Sequence, residues 1–175
     1  MRWAGLLRGI NAGVKLPMAD LRAFLADQGL GDVKTLLASG NATFTADETD
    51  GVALAERIAK AAEKQLDVKT DWFLRSQADL AAIIERNPFP DAAKAHPNHL
   101  QVHFYHDPVP AALLAGFSHG GPERLSAVDR ELYVDYPIDI GHSKLPQAMA
   151  KAKFPKASTG RNWNTVLKLE ALLAG

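Results

Sequence analysis

Apolar positions recur with two different periods along this chain. In residues 17–30 (PMADLRAFLADQGL), Met18, Leu21, Phe24 and Leu25 fall at helical spacing, with Pro17 suited to a first turn and Gly29 to a stop. Residues 50–66 set Val52, Leu54, Ala55, Ile58, Ala59, Ala62 and Leu66 along one helical face. Around these lie short runs that read as strands: 2–8 (RWAGLLR), 33–37, the alternating 41–46 (NATFTA) and 70–75 (TDWFLR). The predicted order is βαββαβ, the ferredoxin-like arrangement.

The second half follows a similar course. Ser76 is a good N-cap with Asp79 at the capping-box position, and Asn87-Pro88 ends that helix. Residues 91–99 (DAAKAHPNH) read as a loop, LQVHFYH as a strand, and DPVPAALLAGF as a helix capped by Asp107. A hairpin is expected over 125–128 and 132–136, turning at Asp129-Arg130. SKLPQAMAKAKF and RNWNTVLKLEALLAG supply two closing helices, so a helix stands where a fourth strand would. The expected fold is α+β, two ferredoxin-like βαββαβ-type halves packed together. Residues 1–75 form the first half, 76–98 a connecting helix and loop, and 99–175 the second half with its closing helices. No repeat is visible at the level of sequence.

Composition narrows the function classes. The chain has 175 residues, 47% of them apolar, enough to bury a core. Twenty basic residues balance twenty acidic ones, which argues against nucleic acid as a partner, since phosphate binding calls for a basic excess. Cysteine is absent, which removes disulfides, thiolate metal sites and cysteine nucleophiles. No apolar run approaches the ~20 residues that span a bilayer. The N-terminus reads as strand and loop rather than signal peptide, so a cytoplasmic protein with no membrane partner is expected.

Several stretches in order carry a resemblance: LLRGINAG at 6–13, MADLR at 18–22, SGN at 39–41, NPF at 87–89, SKL at 143–145 and RNWNTV at 161–166. Together they resemble a bacterial family known only as a domain of unknown function, number 1697, over almost the full chain. The resemblance implies two ferredoxin-like halves and no particular activity. Members usually carry a second glycine and a longer segment after the first loop, whereas this chain has Gly13-Val14 and then Lys15-Leu16-Pro17.

Three places suit a ligand. The loop Arg8-Gly9-Ile10-Asn11-Ala12-Gly13 joins a strand to a helix and could cradle an anion on its N–H groups, although it has neither the GxGxxG nor the Walker pattern. The plainer reading is a tight turn with glycines at positive φ and an Asx-type turn at Asn11. In STGRNWNTV (158–166), Ser158 or Thr159 caps the last helix, whose buried stripe is Trp163, Val166, Leu167, Leu169 and Leu173. Arg161 then sits at the positive end of a helix dipole, a position costing a few tenths to ~1 kcal/mol. Either it pairs with a carboxylate, or an anion sits beside it and Asn162. In Ser143-Lys144-Leu145, serine reads as an N-cap and not a nucleophile, because adjacent helical residues do not face each other. Lys144 could lend charge to an anion site with Arg161. SGN at 39–41 reads as a turn whose Ser39 and Asn41 could donate hydrogen bonds.

The histidines give no local metal site. His99 and His103 would share a strand face ~13 Å apart, too far for one ion, and a site would need His119 or His142. No metal or cofactor is therefore assigned. On the same strand Leu100, Val102 and Phe104 are expected to face helices, leaving His99, Gln101, His103 and Tyr105 on an open face of the sheet. The leading expectation is a small anionic ligand, phosphate- or carboxylate-bearing, held at the cleft between the halves by Arg8, Asn11, Lys144, Arg161 and Asn162. The alternative is a non-enzymatic protein- or RNA-interaction module using the open sheet face. A third reading is structural, with these side chains spent on caps and salt bridges. No residue presents itself as a general base.

Overall fold

The computed structural model describes residues 1–175, which divide into two compact units: Met1–Ala82 with Lys168–Gly175, and Ile83–Leu167. In the first, β1 (Arg2–Leu7), α1 (Met18–Asp27), β2 (Gly31–Thr35), β3 (Asn41–Thr45), α2 (Gly51–Leu66) and β4 (Trp72–Ser76) follow in order. The strands form one antiparallel sheet in the order β2-β3-β1-β4. α3 (Gln77–Glu85) follows β4 directly. The predicted capping box there is present and reciprocal: the Ser76 N–H donates to the Asp79 carboxylate at 2.9 Å, and the Asp79 N–H to Ser76 Oγ at 3.1 Å. α2 starts where Asp50 accepts from the N–H groups of Val52 and Ala53, at 3.0 and 3.2 Å.

Alternation along β1 sends Trp3 and Leu7 to one face, where they join Phe44, Trp72 and Leu74 beneath Leu21, Phe24, Leu25, Leu54 and Ile58 of the helices. The other face carries Ala4, Leu6, Asn41, Thr43, Phe73 and Arg75, and these are buried too.

The second unit contains α4 (Pro90–Ala95), a single 3-10 turn (Pro97–His99), β5 (Leu100–Tyr105), α5 (Ala111–Ala115), β6 (Arg124–Val128), β7 (Glu131–Asp135), α6 (Leu145–Lys151), β8 (Ser158–Asn162) and the start of α7 (Trp163–Ala174). Its sheet runs β6-β7-β5-β8, the same order as the first. Both units are thus ferredoxin-like. Their helices differ in length: α1 and α2 have 10 and 16 residues, whereas α5 and α6 have 5 and 7.

Four expectations are corrected here. Residues 158–162 are the fourth strand, paired with β5 from Gln101↔Asn162 to Tyr105↔Ser158, so the last helix begins only at Trp163. Residues 90–95 are helical, because Pro90 is pre-organised for a first turn. α5 begins after Pro110 and Asp107 does not cap it, since Pro108 and Pro110 hold their neighbours extended. Leu167 is 40% exposed and lies off the buried stripe of Trp163, Val166, Leu169 and Leu173.

The largest correction concerns the sheet face of the second unit. Tyr105 is 2% exposed and packs with Val109, Leu132, Val134, Tyr136, Leu145 and Phe154, under α5 and α6. Leu100, Val102 and Phe104, on the other face, are fully buried as well. The central strands of both sheets are covered on both sides, and the open aromatic face expected for an RNA reader is not there. No helix is long and apolar enough to cross a membrane.

His103 lies between these layers, directly opposite Gly160 of β8. A Cβ at Gly160 would stand 2.9 Å from His103 Cε1 and 3.0 Å from Gln101 Oε1, so the ring occupies space a side chain would need. His103 Nε2 is buried without a hydrogen-bond partner, and loss of solvation pushes the ring's pKa down from 6.5 to about 4. The folded protein therefore holds this imidazole neutral. Above pH 6.5 both states are neutral and the penalty is absent. As pH falls from 6.5 towards 4 the unfolded chain takes up the proton first, so stability falls, by up to about 3 kcal/mol from this group. Urea unfolding across that range is expected to show the slope in the wild type and a flatter one in His103→Gln. An identical slope in both would assign the pH dependence elsewhere.

Candidate functional site

The five residues expected to bind a ligand fall in two places, Arg8 and Asn11 in the first unit and Lys144, Arg161 and Asn162 in the second. Arg8 is half-exposed and faces Asp71, with 3.8 Å from Nη1 to the carboxylate. Such a surface pair contributes about 0–1 kcal/mol. Asn11 adopts a left-handed φ of 59° and spends its whole side chain on the backbone. Oδ1 accepts from the Leu16 N–H at 2.9 Å, while Nδ2 donates to the carbonyls of Leu16 and Ala38. The N–H groups of Asn11, Gly13 and Val14 also turn inward, to the carbonyls of Val14 and Gly9. The loop is a self-satisfied turn stapled to 36–40. Nearby Asn41 is fully buried, its Nδ2 donating to Leu36 O and Ser39 Oγ.

Arg161 lies on β8 rather than at a helix start, so the dipole conflict read from the sequence does not arise. Its side chain is buried, and Nη1 donates to Thr159 Oγ1 at 2.5 Å and to the Gly160 carbonyl at 2.9 Å. Desolvation brings its pKa down to about 10, which leaves it cationic at neutral pH. Arg75 occupies the matching place in the first sheet. Each arginine lies on the strand that closes its sheet, opposite the third residue of the central strand, Ala4 or Val102. Each also precedes the residue that caps the next helix. Asn162 Oδ1 accepts from the Thr165 N–H at 3.0 Å, as Ser76 does for Asp79. The same position thus recurs in both halves, as a scaffold residue would.

Lys144 is placed differently. It lines a cavity of about 310 Å³ formed by residues 119–123 and 138–145, with His119, Glu123, Asp139, His142 and Ser143. The first wall is the turn His119-Gly120-Gly121-Pro122-Glu123, in which Gly120 has a φ of +70°. A Cβ at Gly121 would lie 2.5 Å from Glu123 Oε2, so glycine there lets the turn fold back on itself. The Gly121 N–H donates to His119 Nδ1 at 3.1 Å. On the second wall Ser143 Oγ donates to Glu123 Oε1 and accepts from the Leu145 N–H at 3.1 Å. Ser143 is thus a cap, as expected, and its proton is committed to a carboxylate and not to Lys144.

Charge in this cavity is uneven. Glu123 is buried, with a side chain 7% exposed, and its Oε2 has no hydrogen-bond partner. Burial, and then the negative charge of Glu123, push the Tyr136 phenol up to about 12. At the rim His142 is bonded to Asp139, which raises the imidazole pKa and lowers the carboxyl's. Lys144 is exposed beside them.

Sequence reading did not single out Glu123, nor a second cluster around Asp135. That buried carboxylate accepts from Arg124 Nε and Nη2 at 2.9 and 2.8 Å and meets His96 Nε2 at 2.7 Å. Arg124 reaches on to Asp91 and lies 4.5 Å over the Phe89 ring. Both oxygens of Asp135 are satisfied, so the cluster is a structural tie across β6, β7 and α4. Nowhere do three His, Asp or Glu side chains gather to hold a metal ion.

A family model described as "Protein of unknown function (DUF1697)" matches residues 1–133. No curated protein matches the chain. Among solved structures, the conserved bacterial protein SP0830 from Streptococcus pneumoniae is similar, with a TM-score of 0.77 and 25% sequence identity. The likeness covers 98% of this chain and 98% of that one. Asn162 offers a direct check on the scaffold reading of the β8 end. Asn162→Ala is expected to cost about 1 kcal/mol in denaturant unfolding, and Asn162→Asp much less, as for any helix cap.

Proposed function

The chain belongs to the DUF1697 family of proteins of unknown function, which brings no reaction with it, and we propose from its geometry that it binds a small carboxylate- or phosphate-bearing metabolite in the Lys144 cavity. The observation that carries this reading is the cavity itself. A volume of about 310 Å³ lies within the range of metabolite sites, and Lys144 and His142 are the side chains at its rim that can bear positive charge. The turn at Gly120-Gly121 and Ser143 line the same cavity.

The other expected donors support a narrower role than the sequence suggested. Arg161, Asn162 and Asn11 are engaged in strand, cap and turn, and Arg8 faces solvent beside Asp71. The interaction-module alternative relied on an open sheet face, whereas Tyr105 and its neighbours on that face of β5 and β7 lie under α5 and α6. Binding without chemistry is the simpler form of the proposal. The cavity's one hydroxyl, that of Ser143, is spent on a hydrogen bond to Glu123.

Thermal unfolding with a panel of small carboxylates, amino acids, sugar phosphates and inorganic phosphate tests the reading. A compound at a hundred times its Kd is expected to stabilise the wild type by about 2.7 kcal/mol. The gain should be lost in Lys144→Ala and kept in Arg8→Ala. If no compound shifts the wild type, or if the shift survives in Lys144→Ala, the cavity is not the binding site.

A further inference from the structure

Glu123 is at odds with a ligand that carries negative charge alone. Its carboxylate lines the cavity, nine-tenths of its side chain is buried, and only Oε1 is engaged, by Ser143. Oε2 has no hydrogen-bond partner, although a buried carboxylate oxygen without one is costly and rare in a settled structure. The nearest candidate is His119 Nδ1, 3.9 Å away, which is too long for a hydrogen bond. That nitrogen accepts from the Gly121 N–H, so its lone pair is directed there and it has no proton to give Oε2. Lys144 shares the cavity but makes no ion pair with Glu123. The 119–123 wall therefore holds an unanswered anionic acceptor just behind its surface, closed over by the Gly121 backbone, and the other wall a free cation.

We infer that the ligand is a small zwitterion, with an ammonium group bonded to Glu123 Oε2 and a carboxylate held by Lys144. This rests on the proposal that the cavity binds an acidic metabolite, and it adds the second charge. An ammonium nitrogen, reaching Oε2 as the 119–123 turn shifts, supplies the missing donor and compensates the buried negative charge in one contact, which a neutral hydroxyl does less strongly. Ile138, Pro122 and Leu145 complete the lining and suit an aliphatic body between the two charged ends. A free amino acid is the simplest molecule of this class. A metal ion is a poorer occupant, because a ligating His119 Nδ1 would have to give up its bond from Gly121.

The probe is a matched set of L-leucine, N-acetyl-L-leucine and L-leucinamide, extended to the other free amino acids, β-alanine and γ-aminobutyrate. Each is titrated calorimetrically into the wild type, Lys144→Ala and Glu123→Gln. A free zwitterion is expected to bind, with affinity at least tenfold lower after acetylation of its amine and at least tenfold lower in Glu123→Gln. Glutamine keeps an oxygen for Ser143 and removes a buried negative charge, so Glu123→Gln without ligand is expected to melt no lower than the wild type. That outcome separates a binding carboxylate from a structural one. If acetylated and free forms bind alike through Lys144, the zwitterion inference fails and the acidic-metabolite reading stands. If nothing carboxylate- or phosphate-bearing binds, the reading beneath it fails too. Stabilisation by zinc alone, lost in Glu123→Gln, would overturn the inference in favour of a metal.

Discussion

The second sheet closes on a position that carries no side chain. Gly160 faces His103 across β8 and β5, and the imidazole fills the volume a Cβ would take. From that contact the rest of the C-terminal course follows. With β8 in register, Thr159 and Arg161 alternate into the interior, Asn162 arrives at the edge in position to cap, and α7 can begin at Trp163. Had residues 158–162 been helical, Arg161 would have faced the positive end of the helix dipole. In the strand its charge instead meets hydroxyl and carbonyl oxygens. The first sheet ends in the same way, with Arg75 before Ser76, which shows that a buried arginine before a capping residue is how this fold turns from last strand to helix.

The elements legible in the sequence were those with an apolar period. β1, α1, β3, α2, β4 and β5 all announce themselves by spacing, and Ser76 with Asp79 by cap chemistry. STGRN does not, because its buried alternation is made by a threonine and an arginine, which no hydrophobic pattern registers. The covered face of the second sheet escaped for a related reason. Gln101 and His103 are polar, so their face reads as solvated until α5 and α6 are seen to pack on it. Of the proposed site residues, Lys144 lines a cavity, while Asn11, Arg161 and Asn162 are engaged in turn, strand and cap. Glu123 was hidden in His-Gly-Gly-Pro-Glu, where the turn residues account for themselves and the carboxylate looks like ordinary surface charge. Only the backward fold at Gly121 and the bond from Ser143 bring it inside.

Two buried carboxylates in the same unit show how differently one functional group can be used. Asp135 has a guanidinium on one oxygen and an imidazole on the other, and it binds hairpin to helix. Glu123 has a hydroxyl on one oxygen and nothing on the other. Proteins seldom leave a buried acceptor unmatched without a use for it, and local inconsistency of this kind concentrates at functional positions. The contrast is sharper for the shared surroundings, since both carboxylates belong to one small sheet-and-helix body.

The two units also divide their chain differently between helix and loop. Where the first spends 10 and 16 residues on α1 and α2, the second spends 5 and 7 on α5 and α6, and the walls of the cavity lie in the connections flanking those shortened helices. Such walls have no ladder of helical hydrogen bonds to break before they part. Their opening is a local fluctuation, drawn from the low end of the protein's spectrum of stabilities and far cheaper than loosening either sheet. A ligand bridging the 119–123 turn to Lys144 would cross-link the two walls. Amide exchange would then slow at both walls together, while the sheets behind them kept the protection they already had.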